Sequence, residues 1–468
     1  MIVACALFIE NMDSTVISTS LPAIALDLHT DPIALKLALT AYLLSLAVFI
    51  PVSGWVADRF GARPTFMTAI AVFLLGSLAC AGSGSIGELV AARFLQGMGG
   101  AMMVPVGRLV LLRAVPKNEL VQALSWLTIP ALVGPMVGPP LGGFITTFFH
   151  WRWIFLINIP MGVLGILLAK RFIPDLRQPV PPLDGVGFAL AGCGLALAIL
   201  GFSTLGRHLV PVQAAAGALV AGLGALVGYV LHARRHPRPL LDLNLFRLPT
   251  YRAGIGGGTL FRIGIGATPF LLPLMLQLGF GLSPVHSGLL TFVSAMGAMF
   301  TKTIAALVLK RFGFRRVLIW NGLAASAILC GFGLFRPETP HVVIIATLLV
   351  SGCFRSQQFT SLNAISYAEV DAERLGQASS LAGMMQQLSL SLGVAIGGYL
   401  LQLIGLAAGR PATDVHNFYL AFVGVGLISA SSALFMWRLP RHAGAEMAGR
   451  AQPGKEVAEP KPAQLPAT

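Results

Sequence analysis

The chain has 468 residues, of which 56% are hydrophobic and only 11% are charged, and its formal net charge is +14. Soluble proteins carry about 25% charged residues, so the composition excludes an ordinary soluble domain. Apolar runs of about 20 residues, the length of a helix that crosses a bilayer, recur from end to end. The composition therefore predicts an all-α integral membrane protein.

Fourteen apolar runs follow one another along the chain, and we predict one transmembrane helix for each. The first run contains two acids, has no basic start and ends at Leu21-Pro22, which favours a membrane helix over a cleaved signal peptide. The runs cover residues 1–21, 36–56, 65–82, 88–112, 120–145, 153–172, 184–204, 209–231, 253–278, 286–309, 316–335, 341–367, 377–405 and 417–437.

The basic residues between these runs are unevenly distributed. With a cytoplasmic N-terminus, 22 of them lie in cytoplasmic connections and the C-terminal tail, and five lie on the outer side. Basic connections remain in the cytoplasm, so the pattern predicts a multi-pass protein of the cytoplasmic (inner) membrane with both termini inside. The net charge is then explained without a nucleic-acid partner, and we expect a monomer.

Glu10 and Asp13 lie three residues apart in the first run. This spacing places them on roughly one face of a helix, where each carboxylate disfavours ionisation of the other. Ionisable groups inside membrane helices are costly and by default functional, so the pair is a candidate site for a proton or a cation. The alternative is a pair that only hydrogen-bonds neighbouring helices or lies near the membrane surface.

The fourth run contains Arg93 and Gln96, followed by Gly97. An arginine one turn inside an apolar helix needs a partner, and glycine lets another helix approach closely. We predict that Arg93 and Gln96 face the first helix and act on its acids. The alternative is an arginine that reaches back to the membrane surface.

Two Gly-Pro steps, four residues apart, occur in the fifth run. Proline removes a helical hydrogen bond and bends a helix, and glycines at this spacing form a smooth ridge for packing. The pattern predicts a pivot formed by Gly134, Pro135, Gly138, Pro139 and Gly142.

The turn at 59–63 returns in similar form at 311–315, as Arg-Phe-Gly-x-Arg. Repeated halves around a central site are typical of transporters. We therefore predict an N-terminal six-helix bundle at 1–175, two inserted helices at 176–238, a C-terminal six-helix bundle with a preceding interfacial segment at 239–440, and a disordered cytoplasmic tail at 441–468.

Arg262, Lys302 and Arg355 fall within predicted helices of the second bundle and have no evident acidic partner in the sequence. They could bind an anionic or zwitterionic group of a substrate, or meet backbone carbonyls where glycines interrupt the helix at 254–266. The sequence leaves both open. The five cysteines show no metal-ligand spacing, so no metal is expected. The nine histidines fall at predicted helix ends or in loops, so a proton relay through histidines is not expected either.

These motifs together resemble those of the major facilitator superfamily, and within it the fourteen-helix drug/proton antiporters of the QacA/EmrB type. The resemblance extends over most of the chain. It rests on residues 12–22, 54–63, 93–97, 134–143, 240–252 and 386–393.

The resemblance implies a gating loop in which Asp58 and Arg59 clamp the cytoplasmic ends of helices in the outward-open state. Ala62 stands where the family usually has a basic residue, which softens the gate. The resemblance also implies that Arg93 takes part in proton handling and that the Gly-Pro bend favours exchange over uptake. The loop residues are Gly54, Asp58, Arg59, Gly61 and Arg63.

The sequence thus predicts proton-coupled export of small amphipathic or lipophilic, cationic compounds by alternating access of two bundles. The proton gradient would supply the energy without a cofactor, and the partners would be the substrate and membrane lipid. The alternative is a facilitator or symporter for an anionic metabolite; a receptor that has lost transport is a third possibility. Possible substrate contacts are Arg262, Lys302, Arg355 and Gln386. No spacing of catalytic residues indicates an enzyme.

Overall fold

The computed structural model describes residues 2–114, 120–175, 177–204, 211–440 and 442–447, without the side chains of residues 2, 112–114, 120–132 and 372. All regular secondary structure in the described part of the chain is helical, and this part contains no strand. Of the tail predicted to be disordered, 441 and 448–468 lie outside the described residues.

Twelve helices among the described residues are long and apolar enough to cross a membrane, which confirms an all-α membrane fold. These twelve coincide with all the predicted runs except the first and the fifth. Helices also cover those two runs, but the first is divided into Ile2–Val16, a 3-10 turn at Ile17–Thr19 and Leu21–Asp27. The total of fourteen membrane helices stays a prediction.

The first part of the chain forms eight helices, two of them short. They are α1 (Ile2–Val16), α2 (Leu21–Asp27), α3 (Lys36–Phe60), α4 (Ala62–Gly82), α5 (Ile86–Ala114), α6 (Leu120–Phe148), α7 (Trp153–Leu156) and α8 (Asn158–Phe172).

The remainder of the described chain forms ten helices. It also contains two π-helical stretches, at Arg252–Gly257 and at Met275–Gly279. The ten helices are α9 (Gly185–Thr204), α10 (Val212–Arg235), α11 (Pro249–Tyr251), α12 (Gly258–Gly266), α13 (Thr268–Leu274), α14 (Pro284–Phe312), α15 (Phe314–Gly331), α16 (His341–Ser366), α17 (Leu375–Ala408) and α18 (Val415–Trp437).

The repeated Arg-Phe-Gly turn has the same backbone role in both halves. Gly61 separates α3 from α4 with a φ of 104°, and Gly313 separates α14 from α15 with a φ of 77°. Residues with a side chain rarely adopt this conformation. Glycine therefore allows each helix to end and the next to begin within one residue.

Glycines of α6 let this helix pack tightly against α1. A Cβ on Gly134 would meet the backbone of Phe8, and one on Gly142 would overlap the carbonyl oxygen of Val16. Gly138 lies between them and faces the same helix. The glycine ridge predicted from the fifth run thus lies against the helix that contains both acids.

The opposite side of α6 contacts the second half of the chain. Gly143 lies against the backbone of Pro284 at the start of α14. Nearby, Nε2 of Gln277 donates a hydrogen bond to the carbonyl of Thr19 at 2.9 Å. One contact between the two halves therefore lies at the end of the helices that the charge pattern predicts to be extracytoplasmic.

The α9–α10 pair is held together by close glycine contacts. A Cβ on Gly201 would overlap the backbone of Leu219, and one on Gly222 would overlap the backbone of Ala198. The pair also contacts α3 and α17, so it touches both halves of the chain.

We expect Gly142→Ala to destabilise the protein by about 1–3 kcal/mol, the usual cost of overpacking a close contact. The matched control is Gly224→Ala on α10, where an added Cβ has no atom within 4 Å. Thermal unfolding in detergent, followed by tryptophan fluorescence, should show a lower transition temperature for Gly142→Ala alone. Equal transitions for the two variants would contradict the packing described above.

Candidate functional site

Asp13 and Arg93 form an ion pair inside the first half of the chain. Nη1 of Arg93 lies 2.6 Å from Oδ2 of Asp13, and both side chains are completely buried. Asp13 lies on α1 and Arg93 on α5. The structure therefore places the predicted arginine against one of the two predicted acids, with both side chains buried inside the protein.

The other carboxylate oxygen of Asp13 is held by two amides. Nε2 of Gln96 donates to Oδ1 at 2.9 Å, and Nδ2 of Asn158 donates to the same atom at 2.7 Å. Both amides also donate to Oγ of Ser77, at 2.9 and 3.3 Å. Asp13 thereby links α1 to α4, α5 and α8.

Asn158 and Ser77 were missed by the sequence reasoning. Asn158 is a buried amide in an otherwise apolar run, and this isolated polar residue was the available signal. Ser77 gave no signal because serine is common in membrane helices, where it often bonds its own backbone. Indeed, its hydroxyl also donates to the carbonyl of Phe73.

Arg93 makes further contacts around the ion pair. Its guanidinium carbon lies 4.2 Å from the ring centroid of Tyr42, and Nη1 donates to Oε1 of Gln96 at 2.6 Å. Nε and Nη2 have no hydrogen-bond partner among the described residues. Arg93 therefore keeps two donors available for another acceptor if Asp13 releases it.

Glu10 lies on α1 next to the ion pair. It is 5% exposed, and the hydroxyl of Tyr42 donates to its Oε1 at 3.5 Å. No cation pairs with Glu10 among the described residues. The two acids thus have different surroundings, and Tyr42 contacts both Glu10 and the arginine that pairs with Asp13.

The predicted gating loop is covered by the chain that follows α8. The backbone N–H of Gln178 donates to the carbonyl of Asp58 at 3.0 Å, and Nε1 of Trp55 donates to the carbonyl of Pro181 at 2.8 Å. A Cβ on Gly61 would overlap the side chain of Asp175.

Other loop residues are more open to their surroundings. Arg59 is exposed and Arg63 is half-buried, while an added Cβ on Gly54 would meet no atom within 4 Å. Gly54 therefore has no close contact that would require glycine.

The two prolines of the predicted pivot lie within α6, which runs through both of them. The hydroxyl of Thr19 donates to the carbonyl of Pro139 at 3.2 Å. This contact joins the Gly-Pro step to the chain just after α1. The predicted bend and its role in exchange stay predictions.

Two cations of the second half converge on one part of α16. Nη2 of Arg262 donates to Oδ1 of Asn363 at 3.1 Å, and Nζ of Lys302 donates to Oγ1 of Thr360 at 2.9 Å. Arg262 is 1% exposed, and its Nε and Nη1 have no hydrogen-bond partner among the described residues. The structure thus places Arg262 against an amide side chain.

The other two predicted contacts of this half are half-buried. Arg355 lies on α16, and Gln386 lies on α17. Neither is joined to Arg262 or Lys302 by a hydrogen bond among the described residues.

Residues 3–241 and 255–465 match the Major Facilitator Superfamily profile. The chain is 39% identical over 442 residues to "Putative multidrug resistance protein MdtD" of Escherichia coli (strain 55989 / EAEC), covering 94% of each. It is 38% identical over 448 residues to the protein of the same name from Klebsiella pneumoniae (strain 342), covering 95% of this chain and 94% of the relative.

Solved structures of transporters share the fold at low sequence identity. A D-xylose-proton symporter has a TM-score of 0.69 and 15% identity, covering 95% of this chain and 98% of its own. A POT family transporter in complex with thioalcohol conjugated peptide has a TM-score of 0.69 and 13% identity, covering 96% of each. The resemblance recognised in the sequence is thereby confirmed: this chain belongs to the Major Facilitator Superfamily and is a membrane transporter rather than an enzyme.

Proposed function

We propose that this protein exports small amphipathic or lipophilic, cationic compounds across the cytoplasmic membrane in exchange for protons. The observation that carries the proposal is the buried ion pair between Asp13 and Arg93, with Glu10 beside it on the same helix. The naming of its relatives as multidrug resistance proteins supports the substrate class. In this proposal the proton gradient is the energy source, no cofactor takes part, and one chain is the working unit.

A proton and Arg93 would compete for the same carboxylate. A proton on Oδ2 of Asp13 would remove the charge that holds Nη1 of Arg93 at 2.6 Å. Removing one partner of a buried ion pair costs about 3–5 kcal/mol, so a protonated Asp13 favours a different arrangement of α1 and α5. Proton binding is in this way linked to a change between conformations.

Glu10 and Tyr42 offer a complementary surface for a lipophilic cation. A carboxylate attracts the positive charge, and an aromatic ring attracts it further while contacting the apolar part of the molecule. Tyr42 lies against both Glu10 and Arg93. A cation bound at Glu10 would place another positive charge near Asp13, which favours the ionised carboxylate, so substrate and proton would oppose one another at the same ion pair.

The close packing of α6 would transmit this change to the second half. Gly142 faces α1, and Gly143 on the same helix faces α14. A movement of α1 after proton uptake therefore cannot leave the contact between the halves unchanged. Exchange also requires that substrate affinity differ between the two facing states, because a ligand shifts an equilibrium only through such a difference.

Asp13→Asn is expected to abolish proton-coupled efflux without preventing folding. The amide oxygen can still accept a hydrogen bond from Arg93, but the side chain cannot take up and release a proton. The measurement uses proteoliposomes with an imposed pH gradient and a trapped pH-sensitive dye. Tetraphenylphosphonium and ethidium should dissipate the gradient with the wild-type protein, and neither should do so with the variant.

The matched control is Asp371→Asn, which removes an exposed acid before α17 and should leave transport unchanged. Size-exclusion profiles in detergent check that each variant is folded. Undiminished gradient-driven transport by Asp13→Asn would exclude Asp13 as the proton carrier. A wild-type protein that responds to neither compound would contradict the proposed substrate class.

The buried guanidinium of Arg262 favours one alternative. With two unpartnered donors and no carboxylate bound to it among the described residues, it could accept an anionic group of a substrate. Lys302 binds the neighbouring part of α16 and would add a second positive charge. This arrangement supports a facilitator or symporter for an anionic metabolite as the second candidate function.

The second candidate predicts uptake of small carboxylates into proteoliposomes down their own gradient. Arg262→Gln should abolish this uptake, because the buried positive charge is lost, whereas Asp13→Asn should not. Arg410→Gln, at an exposed arginine, is the matched control. Failure of a panel of labelled mono-, di- and tricarboxylates to accumulate would eliminate this candidate and leave drug export.

A further inference from the structure

Asp184, His232 and His236 form a cluster at one end of the inserted helix pair. Asp184 directly precedes α9, His232 lies in the last turn of α10, and His236 follows that helix. None of the three takes part in the proposed exchange of proton and drug. The cluster is also distant in sequence from Asp13 and Arg93, and the hydrogen bond between His232 and Asp184 shares no residue with that ion pair.

The three side chains bring potential metal ligands together. Each offers one ligand atom, and these three atoms all lie within 4.8 Å of one another. Nε2 of His232 lies 2.8 Å from Oδ1 of Asp184, and the two imidazole rings are stacked with their centroids 5.1 Å apart. His232 and His236 are four residues apart, the spacing of two histidines that bind one zinc ion on a helix, and His236 directly follows the last residue of α10.

The carboxylate of Asp184 is buried and held in a fixed orientation. The side chain is 3% exposed, and the N–H of Gly187 donates to Oδ1 at 2.8 Å while that of Leu240 donates to Oδ2 at 3.2 Å. Both oxygens of the Asp184 carboxylate are therefore held in place by backbone donors.

We propose that Asp184, His232 and His236 bind a divalent transition metal ion of the zinc class. Two imidazoles and one carboxylate form a three-ligand set typical of Zn²⁺ sites that keep one position open for water. Mg²⁺ and Ca²⁺ prefer oxygen ligands, so this set discriminates against them. The backbone donors to Asp184 act as the outer contacts that orient a metal ligand.

A metal ion here would join three separate parts of the chain. It would tie the start of α9 to the end of α10, and the N–H of Leu240 on Asp184 extends the connection to the following segment. That segment is also fixed to α10, because the hydroxyl of Tyr229 accepts from the N–H of Leu241 at 2.9 Å. Metal binding would thus stabilise the inserted pair and its junction with the second half.

The test titrates the full-length protein in detergent, purified without a histidine tag and treated with chelator, with ZnCl₂ by isothermal calorimetry. We expect a saturable zinc site and no corresponding signal with MgCl₂. Zinc should also raise the thermal transition, because a ligand of the folded state stabilises it. The titration is carried out at physiological ionic strength, which screens the repulsion between Zn²⁺ and three exposed arginines near the site, Arg234, Arg235 and Arg238.

His236→Ala should weaken zinc affinity by at least about tenfold, since even changes to the outer contacts of a metal site cost about 10–100-fold. This variant leaves the bond between His232 and Asp184 in place, so folding should be preserved. His236→Cys, which supplies another zinc ligand, should restore binding. The matched control is His416→Ala, because His416 lies 3.0 Å from Asp414 but forms only a two-residue pair.

Two outcomes would overturn the proposal. One is the absence of saturable zinc binding in the wild-type protein. The other is binding that persists unchanged in both His236→Ala and Asp184→Asn. Because calorimetry measures binding without transport, either result leaves the proposed drug export to be judged separately by the pH-gradient assay.

Discussion

The ion pair between Asp13 and Arg93 is the interaction on which the first half of the structure depends. Each charge would cost about 2.5–3.5 kcal/mol at the centre of a membrane helix, and here the two lie together with neither side chain exposed. Gln96 and Asn158 occupy the remaining carboxylate oxygen, so the negative charge is fully coordinated. Four helices therefore have their relative positions tied to the charge state of one carboxylate.

The packing of α6 connects the region around Asp13 to the second half of the molecule. Its glycines contact the backbone of α1 on one side and the start of α14 on the other. Contacts between backbones deform less readily than contacts between flexible side chains, since a close-packed interior transmits strain. Helix α6 thus lies between the acid-bearing helix and α14, as the proposed alternation between two arrangements of the halves would require.

Much of this could be predicted from the sequence because charges in apolar helices are rare. The rarity of Arg93 and Asp13 indicated that each needs a partner, and the structure places them 2.6 Å apart. Similarly, the repeat of the Arg-Phe-Gly turn identified two glycines that both prove to have positive φ. Such signals are readable because few residue types satisfy the physical requirement.

Other features carried no comparable signal. Ser77 and Asn158 resemble ordinary polar residues of membrane helices, and only the packing of α4 and α8 brings them to Asp13. The sequence places the end of the first run at Leu21-Pro22, yet these two residues begin α2, because proline is as suitable in the first turn of a helix as after its end. The cluster around Asp184 joins residues 48 positions apart, so a search by local spacing could not find it.

The most direct test of the account is whether substrate binding expels a proton from the buried acids. Purified protein in weakly buffered detergent solution would be mixed with tetraphenylphosphonium while the pH is recorded. The account predicts acidification with the wild-type protein and with Asp371→Asn, and none with Asp13→Asn. Equal proton release by Asp13→Asn and the wild type would contradict the claim that drug and proton are exchanged at this ion pair.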